Sequence, residues 1–135
     1  MSDDALTGRP CIRRLVGVYN AEGTLRGEIA YWIGARLGRA HCALCSITHG
    51  SVRERSDWKV CRAGLPIPFD TYHLDDQPDG VRAVIAGRTP AVVAETDRGL
   101  LFLLGPADLQ RCESSPDQLS TALRVAAELH SLRWP

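Results

Sequence analysis

Three residues near the middle of the chain have types and a spacing suited to chemistry. Cys42, Cys45 and His49 stand at i, i+3 and i+7. On a helix turning about 100° per residue, all three fall within about 60° of one face. Two thiolates and an imidazole on one face suit a soft or borderline ion such as zinc. A closed tetrahedral site needs a fourth ligand. Cys61 is the first candidate, because a second helix running back would bring its end beside Cys42; His41 is the rival. The pattern Cys-x2-Cys-x3-His-x11-Cys gives a Cys3His set, although not the spacing of a standard finger.

The same residues suit thiol redox chemistry. If Cys42 opens a helix, free backbone N–H groups stabilise its thiolate, and a protonated His41 or His49 adds to this. Cys42 is then the nucleophile and Cys45 the resolving thiol. Covalent haem is excluded, since residue 46 is Ser rather than His. In a third reading the sulfurs only pack, as isolated cysteines usually do; Cys11 and Cys112 are read this way. Five cysteines cannot form a complete intramolecular disulfide set. With Met1-Ser2-Asp3-Asp4 at the start and no export signal, reduced thiols and a cytoplasmic location are expected.

Other candidates are weaker. His73 stands among Asp70, Asp75 and Asp76, though Asp75-Asp76 suits capping of the next helix. His130 is placed near a helix C-terminus, where its charged form suits the dipole. Arg53, Arg55 and Arg62 could hold an anion beside the cysteines. Trp32 and Trp58 read as core or hairpin contacts, and Trp134 as an anchor for the tail.

The composition frames this chemistry. The chain has 135 residues, 44% hydrophobic and 24% charged, which suits one globular domain. Sixteen basic residues balance sixteen acidic ones, so no electrostatic footprint for nucleic acid or anionic membrane is present. No apolar run approaches the roughly 20 residues of a membrane span. A partner is then a protein or small molecule of unspecified kind, and a homodimer is compatible with the sequence.

The elements that must position the cysteines follow from periodicity. Residues 1–11 read as a loose arm. Ile12–Tyr19 is a buried strand, and Leu25, Ile29, Trp32 and Ile33 mark a helix ending near Leu37. His41–His49 reads as a short helix closed by Gly50. Ser51-Val52-Arg53-Glu54 matches a capping box for a helix from Val52 to Ala63. Residues 40–64 thus form a helical hairpin. Pro68–Leu74 is a strand with Phe69, Thr71 and His73 on one face. Val81, Val84 and Ile85 mark a short helix ended by Gly87. Ala91–Ala94 and Leu100–Leu104 are antiparallel strands joined at Asp97-Arg98-Gly99. Ser115-Pro116-Asp117-Gln118 opens the last helix, with Leu119, Leu123, Ala126 and Leu129 on its inner face.

Without the hairpin, this order resembles the thioredoxin fold over about residues 12–132. The resemblance implies an α/β domain at 12–135: a mixed sheet of about four strands flanked by helices, with the hairpin inserted after the first helix. It also implies that Pro90, after Thr89, is the cis proline before the third strand. The chain departs from the family after the first strand, where Asn20-Ala21-Glu22-Gly23 replaces the Cys-x-x-Cys motif. A first helix running back along the strand would leave Cys42 and Cys45 at the opposite edge, unless the insert folds back. The chain is also similar to a family of small bacterial proteins with a Tyr-Asn-Ala, a Cys-x-Leu-Cys-x-x-Thr-His-Gly segment and a downstream Trp. Here these are Tyr19-Asn20-Ala21, Cys42–Gly50 and Trp58. That resemblance implies chemistry at this segment and no particular activity. The expectation is metal binding at Cys42, Cys45, His49 and Cys61. Thiol–disulfide chemistry at Cys42 and Cys45 is the alternative, and a non-catalytic interaction module the third reading.

Overall fold

The computed structural model of the chain describes residues 8–20, 42–49 and 54–135. Its strands build one mixed sheet. β1 (Ile12–Val18) runs parallel to β2 (Phe69–Tyr72) and antiparallel to β3 (Ala91–Thr96). β4 (Gly99–Leu104) pairs antiparallel with β3, giving the order β2-β1-β3-β4. β1 and β3 lie inside and are covered on both faces, so their sequences are apolar runs rather than alternations. Ala91, Val92, Val93 and Ala94 are all fully buried. The β3–β4 turn is closed by Thr96, whose hydroxyl donates to Gly99 O at 2.8 Å and accepts the Arg98 N–H at 3.1 Å.

Alternation along the strands sends side chains to two cores. Val16, Val18 and Val93 meet Val81 and Ile85 of α3 (Asp79–Ile85) on one face. On the other face Leu15, Phe69, Val92 and Ala94 meet a larger helical layer. That layer holds α1 (Ala43–Thr48), α2 (Ser56–Ala63), α4 (Pro106–Gln110) and α5 (Pro116–Leu129). α5 begins as its sequence dictates: the Ser115 hydroxyl accepts the Gln118 N–H at 3.2 Å, and Pro116 takes the first helical position. Leu119, Leu123 and Ala126 are buried, but Leu129 is 79% exposed. At about 100° per residue, Leu129 falls about 80° off the line through Leu119, which carries it out of the core stripe.

Several expectations are corrected. α2 starts at Ser56, not Val52. Glu54 instead forms a bridge with His49, and its carboxylate takes both Arg62 N–H groups at 3.0 and 3.1 Å. β2 ends at Tyr72, so His73 lies past the strand. α3 closes on Ala86 in the left-handed region (φ 52°), one residue before Gly87. Its N-cap is Pro78, so neither Asp75 nor Asp76 caps it. α4 was not foreseen; Pro106 opens it, and Asp108 accepts the Gly105 N–H at 2.9 Å. Pro10 and Cys11 are tied rather than loose: Arg133 N–H donates to Pro10 O, and Cys11 N–H to Asp97 Oδ1, each at 2.9 Å. The Thr89–Pro90 bond is cis. Leu25–Leu37 and the Ser51–Arg53 part of the capping box lie outside the described residues. No helix among those described is long and apolar enough to cross a membrane.

Helix and sheet approach closely at Gly17. A Cβ there would stand 3.0 Å from Leu44 Cδ2 and 3.0 Å from Phe69 Cε1. The missing side chain lets α1 lie directly over β1. Gly17→Val gains at most about 1 kcal/mol of strand propensity but overpacks this contact, and should cost a net amount of about 1–3 kcal/mol. Urea unfolding of the two proteins measures this; equal midpoints would refute the close approach.

Candidate functional site: a cysteine pair at the end of the first strand

Cys42 sits at the N-cap of α1 in extended conformation (φ −134°, ψ 107°). Its sulfur accepts the Cys45 N–H at 3.3 Å and the Asn20 N–H at 3.4 Å. Cys42 and Cys45 are joined as a disulfide, with Cα atoms 5.2 Å apart. Ala43 and Leu44 favour the helix, and Leu44 and Ile47 anchor it on the sheet with no exposure. Asn20 follows β1, so the pair lies at the C-terminal end of that strand. Of the two placements open from the sequence, this is the one at the strand end rather than the opposite edge, and Leu44 packs on Gly17 there.

α1 is too short to present the expected three-residue face. The buried Thr48 hydroxyl lies 3.2 Å from Leu44 O and competes with continuation of the helix. His49 then turns extended (φ −124°, ψ 147°) to pair with Glu54. Its Nδ1 is 2.7 Å from Thr48 Oγ1, and its ring stands edge-on to Tyr19, centroids 5.7 Å apart.

Cys61 goes elsewhere. Trp58 takes the inward position of α2 with no exposure and packs edge-on against Phe69 at 5.0 Å. Three residues on, Cys61 turns toward α5, its thiol donating to Pro116 O at 3.5 Å. Burial, then the negative charge of Asp117 and Asp57, pushes that thiol up from its ordinary range. Among the described residues no three His, Cys, Asp or Glu side chains are placed to hold a metal ion. Among the expected ligands, Cys42 and Cys45 are bonded to each other and the Cys61 thiol bonds Pro116 O of α5. His41 lies outside the described residues.

The arginines are committed to structure. Arg55 donates to Ser46 O at 2.9 Å and to Ser114 O, while its Nε and Nη2 hold the Asp57 carboxylate at 3.0 and 2.6 Å. Those bonds keep the Asp57 carboxyl below its usual range. Ser114 and Ser46 hydroxyls also meet at 3.0 Å. One guanidinium thus ties α1, the start of α2 and the α4–α5 loop together. Arg62 is held by Glu54, and Arg53 lies outside the described residues.

His73 keeps Asp76 as a partner but not Asp70. His73 N–H donates to Asp76 Oδ1 at 2.5 Å, and its Nδ1 is 3.3 Å from Asp76 Oδ2, a local turn. Asp70 instead pairs with Arg14 at 3.1 Å, alongside Glu95 at 2.8 Å. His130 is the C-cap residue of α5. Cys11 and Cys112 are free and buried, and Trp134 packs against the core at the tail.

Sequence reasoning did not select Tyr19 as a site residue. Its hydroxyl is 3.0 Å from Thr48 Oγ1, and its ring lies 5.4 Å from that of His73. Only its place in the Tyr-Asn-Ala segment signalled it. Burial pushes the Tyr19 phenol above its ordinary value. The unfolded phenol ionises first, near pH ~10, so this contribution to stability is complete below that pH and falls as pH rises past it. Urea midpoints between about pH 8 and 11 should fall less steeply for Tyr19→Phe than for the wild type. Parallel curves would refute the assignment.

The chain matches no protein-family model, no curated protein and no solved structure with which it was compared.

Proposed function

We propose that the chain is a thiol–disulfide oxidoreductase or thiol redox sensor acting through Cys42 and Cys45, on a thioredoxin-like arrangement. The observation that carries this reading is the Cys42–Cys45 disulfide whose Cys42 sulfur receives two backbone N–H groups. N–H groups aimed at sulfur favour the thiolate, which is both the attacking and the leaving form in disulfide exchange. The sheet order, with this pair at the end of its parallel inner strand, supports the fold part of the reading.

In the reducing direction, the Cys42 thiolate attacks one sulfur of a substrate disulfide. A mixed disulfide forms and one substrate thiolate leaves. Cys45, its proton passed to solvent, then attacks the Cys42 sulfur. The Cys42–Cys45 bond forms, the second substrate thiolate leaves, and two electrons have moved to the substrate. Both cysteines are buried, Cys42 at 0% and Cys45 at 6% exposure, so local opening belongs to the reaction.

The reduced protein should reduce a small aromatic disulfide stoichiometrically, ending as the Cys42–Cys45 disulfide by mass mapping. Cys42→Ser should abolish this, and Cys45→Ser should stop at the mixed disulfide. Retained turnover in Cys42→Ser would defeat the reading. The earlier metal expectation is checked on the same sample: native mass spectrometry of the reduced protein with added zinc should show the metal-free mass. A stoichiometric zinc adduct lost on Cys45→Ser would instead restore the metal reading.

A further inference from the structure

The dipeptide that follows β1 touches both ends of α1. At the N-terminal end, the Asn20 N–H points at the Cys42 sulfur, 3.4 Å away. At the other end, the Tyr19 hydroxyl meets the Oγ1 of Thr48, the last residue of α1, at 3.0 Å. Two further bonds hold this dipeptide. Tyr19 N–H donates to Tyr72 O at 2.9 Å, from the end of β2. The Thr89 hydroxyl donates to Asn20 Oδ1 at 3.0 Å, from the segment before β3. Thr48 is fully buried, and Tyr19 is 4% exposed. Thr48 also meets Leu44 O and His49 Nδ1, so its hydroxyl is fixed in place as the partner of the buried Tyr19 hydroxyl, whose desolvation makes an unmade bond costly.

We infer that the Tyr19–Thr48 hydrogen bond is a positioning device that keeps the Asn20 N–H on the Cys42 sulfur and thereby sets the redox equilibrium of the Cys42–Cys45 pair. This rests on the thiol-exchange reading above. Tyr19 and Thr48 are positioning residues: their hydroxyls bond each other, and the effect reaches Cys42 through Asn20. The direction follows from charge. An N–H donates more strongly to a thiolate than to a neutral disulfide sulfur, so a well-aimed Asn20 N–H stabilises the reduced pair. Loosening it favours the disulfide.

The test uses the full chain in glutathione buffers at mildly alkaline pH. Two glutathione thiols reduce the Cys42–Cys45 bond. That bond breaks, one disulfide forms between the two glutathiones, and their two protons balance the two protein thiols. The oxidised fraction is read by mass after alkylation. Tyr19→Phe and Thr48→Val should each move the equilibrium about threefold or more toward the protein disulfide, the scale of one weakened bond to a charged group. Thr48→Ser, which keeps the hydroxyl, should restore the wild-type constant.

Melting temperatures of the same variants separate positioning from support. A lowered melting temperature with an unchanged equilibrium constant overturns the inference. So does a constant that shifts in Thr48→Ser as much as in Thr48→Val. If Thr48→Val fails to fold, Tyr19→Phe, which removes only the hydroxyl, decides by the same readout. A wild type that exchanges while the variants match it defeats this inference alone. A wild type that never equilibrates with glutathione defeats the redox reading and the inference with it.

Discussion

The approach of α1 to β1 at Gly17 is the constraint on which the site depends. Two elements that carry no long-range hydrogen-bond ladder between them are held by apolar contact through the space of a missing side chain. Leu44 fills that space from above and Phe69 from the side. The contact decides where a helix of six residues lies, and with it where Cys42 sits. A helix this short has little stability of its own, so tertiary packing must supply it. The same large core face also buries Trp58, Leu109, Leu119 and Leu123, which makes the cysteine pair part of the core rather than an appendage to it.

Polar contacts then finish what packing begins. Arg55 satisfies one carbonyl oxygen of α1, one of the α4–α5 loop and a carboxylate from its own helix start, which fixes α1 against its neighbours. The Tyr19 and Thr48 hydroxyls pair inside the core. Each of these groups would be costly if left alone in a buried place, so they specify one arrangement more than they add stability. The result is a buried sulfur that meets two N–H groups.

The cysteines divide by environment. Cys42 is at a helix N-cap with N–H donors on its sulfur and a bonded partner three residues away. Cys61 and Cys112 face backbone carbonyl oxygens, and burial pushes both thiols up, toward the unreactive neutral form. Cys11 forms an isolated bridge with Arg133 of the tail. The five cysteines thus divide into one bonded pair and three free thiols.

Much of the frame was legible in the sequence because it rests on local rules. The apolar runs at Leu15–Tyr19, Ala91–Ala94 and Leu100–Leu104, the Ser115-Pro116-Asp117-Gln118 start and the Gly99 turn each encode their element within a few residues. Cys42 and Cys45 could likewise be singled out by spacing. What the sequence could not decide was partnership across the chain. The bidentate Glu54–Arg62 pair, the turn of Cys61 toward Pro116 and the break of α1 before His49 all follow from competition between distant or newly adjacent groups. Helical spacing put Cys42, Cys45 and His49 on one face, but the Thr48 hydroxyl and the His49–Glu54 bridge ended the helix first. The sequence by itself determined which residues could react. Only the tertiary structure brought the cysteine pair to the end of β1 and aimed the Asn20 N–H at its sulfur, because those placements depend on how closely a helix can approach a glycine two strand positions before Tyr19.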